Sequence, residues 1–407
     1  MATPLAWKNL KHNWVRTVVG MAGVGFAAML IFMQMGFKGA IERTATQIYD
    51  ALEFDLMIRS PAYLHLTEAR SFPEQRLRQA RALPGVISVR PLHIALSEWQ
   101  TPERLRPPSE EKPHSQVEPG MGRGIIVLGV DPRDTPFTPQ RADLSKAAQK
   151  LTSARFVLVD SKSKPEYGPQ VGARFSEHDL GVETALGPNR VKVAGLFELG
   201  SGMVCNGASM TNRDGFFAAC PLQTPGGVNL GLIKLDAGVD PGAAAALVRE
   251  ALDARSAGAA DVEVLTRDQV NAHEERRWMV ETPFGAIFTL GVLVSVFVGV
   301  AIVYQVLSTD IANLVGEYAT LKAMGYGNDY LSSVVIKQSV LLALVSFVPS
   351  LAIAAGLYRL IGNSAGIPMV LTPAIMASVL GLTVLMCLAS GIAALRKLFT
   401  ADPASLF

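Results

Sequence analysis

Several short stretches of this chain carry residue types and spacings that can do chemistry. "GNSAG", Gly362 to Gly366, has the G-x-S-x-G spacing that lifts a serine nucleophile onto a strained turn. Such an elbow needs a strand before the serine, a helix after it, and a histidine and an acid nearby. Ser364 lies between two long apolar runs, so the motif reads as a short turn there. "HEERR", beginning at His273, opens like the helix of a zinc protease, but Arg277 stands where the second histidine ligand belongs. "GVGFAA", Gly23 to Ala28, has dinucleotide-turn spacing inside an uncharged run, where small residues read as close helix packing. Asp160 and Glu166 in "DSKSKPEYGP" resemble an acid pair, and a solvated turn after a strand explains them more simply. No G-x-x-x-x-G-K-[ST] loop occurs, so no phosphate-binding turn of that kind is expected for ATP. Three cysteines make a metal framework unexpected. Cys205 and Cys220 are a candidate disulfide, the alternative being two free thiols, and Cys387 reads as packing. No residue is assigned a catalytic, cofactor-binding or metal-ligating role.

The elements that would hold these residues are of two kinds. Of the 407 residues, 49 % are hydrophobic, and they are gathered into runs. A bilayer needs about 20 apolar residues per helix. Spans are read at 17–37, 282–309, 338–361 and 373–395. The first exceeds the ~7–15 residues of a signal-peptide core and no A-x-A site follows it, so it is expected to be an uncleaved anchor. Lysines and arginines near the spans set orientation. Lys8, Lys11 and Arg16 precede the first span, Lys322 and Lys337 lie between the second and third, and Arg396 and Lys397 follow the fourth. The N-terminal amphipathic segment 1–16, the loop 310–337 and the tail 396–407 are therefore expected in the cytoplasm. The region 38–281 and the uncharged loop 362–372 are expected outside. A net charge of +2 indicates no surface for nucleic acid.

The region 38–281 reads as one α+β domain on helical stems. "DLMIRS", "FPEQRLRQARAL" and "GVISVRPLHIAL" form a β-α-β unit. A second runs through "VNLGLIKL", "DPGAAAALVREALDAR" and "DVEVL", with Asp240 as N-cap and Pro241 at the first helical position. Two such halves predict one split α/β sandwich. The strand-rich residues 122–215 between them read as an insertion, and the proline-rich residues 101–121 as a flexible loop. Thr266 and Gln269 form a capping box that starts a helix leading into the second span.

Between the second and third spans stands "EYATLKAMGY", Glu317 to Tyr326. On a helix, Leu314, Tyr318 and Leu321 share one face, and Asn313, Glu317 and Thr320 another. Gly325 follows Met324 where a C-cap glycine belongs. This spacing fits a handle for a cytoplasmic partner and fits equally a helix resting on lipid.

"EYATLKAMGY" resembles the cytoplasmic signature of FtsX-like, MacB-like ABC permeases, and of the DevC type among them. "PLAWKNLKHN", "LVDSKSKPEYGPQVG", "FELGSG", "TPFGAIFTLGVLVSVFVGVAIVYQVLSTDI" and "TADPASLF" resemble further segments of that family, in order along the chain. The region 205–227 departs from it. The resemblance implies a homodimeric permease of the bacterial inner membrane, with four transmembrane helices and a large periplasmic domain. It implies a cytoplasmic ABC ATPase subunit that binds ATP and Mg and supplies the hydrolysis. A periplasmic membrane-fusion adaptor and a TolC-like outer-membrane protein are the other implied partners, with membrane lipid. Glu317, Tyr318, Leu321, Lys322, Met324, Gly325 and Tyr326 become the expected contact with the ATPase. The cargo implied is lipid-like or amphipathic. The alternative is a signalling permease that activates a cell-wall hydrolase without transport.

Overall fold

The computed structural model describes residues 14–102, 122–169, 173–200, 206–254, 260–313, 316, 320, 324, 327–365 and 367–400. The chain divides into two compact units, Met1–Ile41 with Met279–Phe407, and Glu42–Trp278.

The first unit is helical. Helices Trp14–Asp50, Pro283–Asn313, Asn328–Ala365 and Pro373–Thr400 carry its apolar runs. Four stretches, Thr17–Asp50, Pro283–Thr309, Ser332–Ser364 and Pro373–Leu395, are long and apolar enough to cross a membrane. Helix is the form such runs must take in lipid, because it satisfies every backbone group within the segment. Small residues let the helices approach. A Cβ on Gly23 would stand 2.4 Å from Ile302 Cγ2, and the Gly25 carbonyl accepts from Ser350 Oγ at 3.0 Å. Val24, Ala27, Val303, Leu342 and Met386 fill the core around that contact. The reading of "GVGFAA" as packing holds.

The second unit is built on strands β1 (Leu56–Arg59), β2 (Phe72–Pro73), β3 (Val86–Gln100), β4 (Gly122–Val130), β5 (Phe156–Asp160), β6 (Glu183–Leu186), β7 (Asn189–Phe197), β8 (Ala208–Asn212), β9 (Gly227–Val228), β10 (Leu230–Leu235) and β11 (Glu263–Thr266). Nine of them form one mixed sheet in the order β11-β1-β10-β3-β4-β8-β5-β7-β6. The part β11-β1-β10-β3 is wholly antiparallel. Helix Gln75–Arg81 joins β1 to β3, and helix Pro241–Asp253 joins β10 to β11. That is a β-α-β-β-α-β unit with its two halves interleaved. Leu56, Ile58, Leu77, Val89, Ile233, Val248 and Val264 form its core. Asp240 caps the second helix by accepting from Ala243 N at 2.7 Å.

Residues Leu92 to Val86 of β3 pair with β10, and His93 to Gln100 pair with β4. The same strand therefore serves the split unit and the insertion. In the insertion β4 is parallel to β8, and β5 to β7. Trp99 of β3 pairs with Leu186 of β6, which closes β3-β4-β8-β5-β7-β6 into a ring. Trp99, Val127, Val159, Tyr167, Leu186 and Phe216 pack its interior.

The capping box is formed: Thr266 Oγ1 accepts from Gln269 N, and Gln269 Oε1 accepts from Thr266 N. The helix it starts, Arg267–Arg276, passes into a π-helical turn at Arg277–Glu281 before the helix that begins at Pro283. The sequence predicts a helix from Thr266 to Glu281 leading into the second span, and its last turn is π-helical. Pro283 has no N–H to give the Met279 carbonyl, and a Cβ on Gly285 would stand 1.8 Å from that same oxygen. The wider turn accommodates both.

Candidate coupling site and buried stem cluster

Of the expected ATPase contact, Glu317, Tyr318, Leu321, Lys322, Gly325 and Tyr326 lie outside the described residues, and Met324 is described. Thr320 Oγ1 donates to the Gly316 carbonyl at 2.9 Å, and Met324 N donates to the Thr320 carbonyl at 3.0 Å. Met324 is an exposed apolar side chain. The next helix starts at Asn328 with Asp329 in its first turn, where a negative charge complements the helix dipole.

The stretches singled out for their chemistry are placed as follows. Gly362 to Ala365 continue the helix Asn328–Ala365, so they are not a turn. Ser364 Oγ donates to the Leu360 carbonyl at 2.8 Å, inside its own helix. No strand precedes it, and the nucleophile-elbow geometry is absent there. Among the described residues no group of three or more His, Cys, Asp or Glu is placed to hold a metal ion. Cys220 follows helix Arg213–Ala219 as a buried free thiol, pushed up by burial to about 11. Cys205 lies outside the described residues. Cys387 is buried and free in the helix Pro373–Thr400.

Asp160 corrects one reading. It is buried, where a solvated turn was expected. Its carboxylate accepts from Lys162 N at 2.9 Å, Leu199 N at 3.3 Å and Gly200 N at 2.7 Å. Burial pushes its pKa up, against the three N–H bonds, which stabilise the anion. The residue organises two loops at the end of β5 and β7. Glu166 is remote from that role, giving only its carbonyl oxygen to Thr101 Oγ1.

A cluster that motif reading did not single out lies where residues 42–50 of the first helix meet helix Arg267–Arg276. Tyr49 Oη and Tyr63 Oη are 2.6 Å apart. Tyr49 Oη lies 3.1 Å and Tyr63 Oη 2.9 Å from Glu274 Oε1, both within hydrogen-bond distance. Tyr49 is 0 % exposed, Glu274 1 % and Tyr63 5 %. Arg59 lies 4.5 Å over the Tyr63 ring and pairs with Glu263 at 2.9 Å. Burial, and then the Glu274 charge, holds the Tyr63 phenol well above its ordinary range. Burial likewise raises the Glu274 carboxyl, against the two phenols and the positive Arg59 and Arg277. One signal was available in sequence. Glu274 follows Val270 by four residues, so an acid shares the helix face of a buried valine.

His93 of β3 is also buried, between the rings of Phe216 and Phe217 at 5.3 and 5.1 Å. Burial, and then the Arg213 charge, lowers its pKa to about 4, so the ring is neutral.

Comparison with known proteins bears on the helical unit first. Residues 289–403 match the family model described as FtsX-like permease C-terminal. No curated protein matches the chain. Among solved structures, the periplasmic region of MacB from Actinobacillus actinomycetemcomitans is similar with a TM-score of 0.35 and 10 % identity, over 56 % of this chain and 95 % of that one. The extracellular domain of the noncanonic ABC-type transporter YknZ from Gram-positive bacteria is similar with a TM-score of 0.32 and 12 % identity, over 52 % of this chain and 99 % of that one.

Proposed function

We propose that this chain, which belongs to the FtsX-like ABC permeases, is the membrane subunit of an ATP-driven tripartite export system of the DevC type. The observation that carries the reading is the family match over 289–403, which contains the whole of "EYATLKAMGY" and the apolar helices after it. In this reading a separate cytoplasmic ATPase binds ATP and Mg and grips residues Glu317 to Tyr326. Tyr318, Leu321 and Met324 supply apolar contact, and Glu317 and Lys322 set register by charge. Gly325 ends the helix through its backbone. The permease acts as a homodimer in the inner membrane with both termini cytoplasmic. Its outer domain works a membrane-fusion adaptor and a TolC-like duct to move a lipid-like cargo. The chain's job is coupling: states that bind the ATPase and adaptor differently shift their populations as ATP is bound and hydrolysed. No residue here is catalytic.

Purification of the full chain in mild detergent, with its neighbours identified, tests the assembly. Leu321→Asp and Gly325→Val should lose the ATPase and its stimulation by the permease, while Thr320→Ala should do little. Normal ATPase binding by Leu321→Asp would mean that the helix only rests on lipid. Recovery of a cell-wall hydrolase in place of an adaptor would turn the reading to signalling. Orientation is tested with single cysteines: Ser109→Cys should react with an impermeant reagent in spheroplasts and Asn328→Cys should not. Cys205 and Cys220 are a candidate bridge outside the membrane, the alternative being two free thiols. Two alkylatable outer thiols in the denatured, unreduced chain would reject that bridge.

A further inference from the structure

Tyr49 Oη, Tyr63 Oη and Glu274 Oε1 form a closed triangle in which every pair is within hydrogen-bond distance. Each hydrogen bond requires a proton. Two phenols bring one each, and an ionised carboxylate brings none. With Glu274 ionised, three contacts must be served by two protons, one of them shared between two acceptors. A third proton, on the carboxyl, completes a ring in which each oxygen donates once and accepts once. Water has little access to relieve the mismatch, because the three residues are buried.

We propose that Glu274 is a proton-holding residue: the ring closes with its carboxyl protonated, and opening the ring releases that proton to the water outside the membrane. The ring joins three separate parts of the outer unit. Tyr49 belongs to the end of the first helix, Tyr63 to the loop after β1, and Glu274 to the helix that leads toward Pro283. Closing it therefore ties the outgoing and returning connections of the outer unit together, and the tie is made with a proton. The inference stands on the outer unit alone and does not need the ATPase reading.

The charged groups around it act in both directions. From β1, Arg59 favours the anion, although it is already paired with Glu263 of β11. On the helix of Glu274 itself, Arg277 also favours the anion. From the loop after β1, His65 lies within the field of Arg277 and Glu68. Burial favours the neutral acid and is the largest effect. The sign follows. The held carboxyl titrates above its ordinary value, so the closed ring is strongest below about pH 4.3. Above that it weakens about tenfold per pH unit until the pH passes the raised value, and then levels off.

The test uses the full-length chain in lipid nanodiscs at about pH 6, where exposed glutamates are ionised. Infrared difference spectra between wild type and Glu274→Gln should show a protonated-carboxyl C=O band in the wild type. Amide exchange of residues 267–276, corrected for its intrinsic pH dependence, should rise with pH in the wild type. It should be flat in Glu274→Gln, whose amide both donates and accepts. Tyr63→Phe removes one oxygen of the ring and should weaken or abolish the band even where Glu274→Gln is difficult to prepare. A carboxylate signal alone at pH 6, or equal pH slopes in wild type and Glu274→Gln, would overturn the proposal.

Discussion

Gln47 Nε2 donates to the carbonyl oxygen of Leu199 at 2.6 Å, which fixes the last turns of the first helix to the loop leaving β7. The loop is shaped for this contact. Gly200 has a φ of +76°, and a Cβ there would stand 2.5 Å from Gln47 Nε2. Gln47→Ala should cost about 1 kcal/mol and raise amide exchange at residues 197–200. Gly200→Ala should cost about 1–2 kcal/mol through its backbone, and Gln47→Ala in the same chain should not recover that loss. Unchanged exchange at 197–200 in Gln47→Ala would show that the bond does not hold the loop.

His93 makes the outer domain acid-sensitive. Its folded pKa of about 4 lies below the ordinary value of 6.5, so the unfolded chain takes up a proton that the folded one refuses. The stability associated with the neutral ring is complete above pH 6.5 and is lost as pH falls toward 4, by an amount on the order of 3 kcal/mol. Thermal melting between pH 7 and 4.5 should show that decline. His93→Phe, which keeps the aromatic contacts with Phe216 and Phe217, should flatten it. An identical decline in His93→Phe would assign the effect to another group.

The Gly23–Ile302 contact should behave as a steric pair. Gly23→Ala places its new carbon 2.4 Å from Ile302 Cγ2 and should lower the melting temperature in detergent. The overpacking cost is about 1–3 kcal/mol. Ile302→Ala removes the opposing carbon, so the double variant should recover part of the loss relative to the sum of the two single changes. Strict additivity would mean that the helices shift apart without cost.

Local signals in the sequence proved reliable, and non-local ones did not exist to be read. Asp240 and the Thr266–Gln269 pair announce helix starts because a cap is decided within four residues. The two β-α-β halves follow from alternation and spacing. Their interleaving, with β1 between β10 and β11, depends on partners far along the chain, and no residue in β1 specifies it. The turn at Asp160 predicts a solvated acid, as acids in turns usually are, and the structure buries it. The N–H groups that bury it come from residues 199 and 200 as well as from its own turn. The position of "GNSAG" at the end of an apolar run predicts a turn, and the structure continues the helix there. Pro349 lies inside that helix without ending it, and no further proline follows before Pro368, so the helix continues through Ala365. The motif "HEERR" drew attention to His273 and its missing metal partner, whereas the structure gives the buried role to the neighbouring Glu274. Only its place on the valine face hinted at that.

The interleaved sheet also sets the order in which the outer domain can be made. Leu56 to Arg59 pair on one side with residues 230–233 and on the other with residues 263–266. As the chain leaves the ribosome, β1 has neither neighbour until nearly the whole domain has been synthesised. Contacts of such sequence separation close slowly, because the loop entropy is lost before they form. The ring of the insertion is different. β4 through β8 lie within residues 122–212, and the other parts the ring uses, the second half of β3 and Phe216 of its interior, are also made before β10. The insertion can therefore assemble first, on a strand whose first half still waits for β10. A chain cut after residue 228 should leave a folded ring carrying an open edge, the half of β3 that waits for β10.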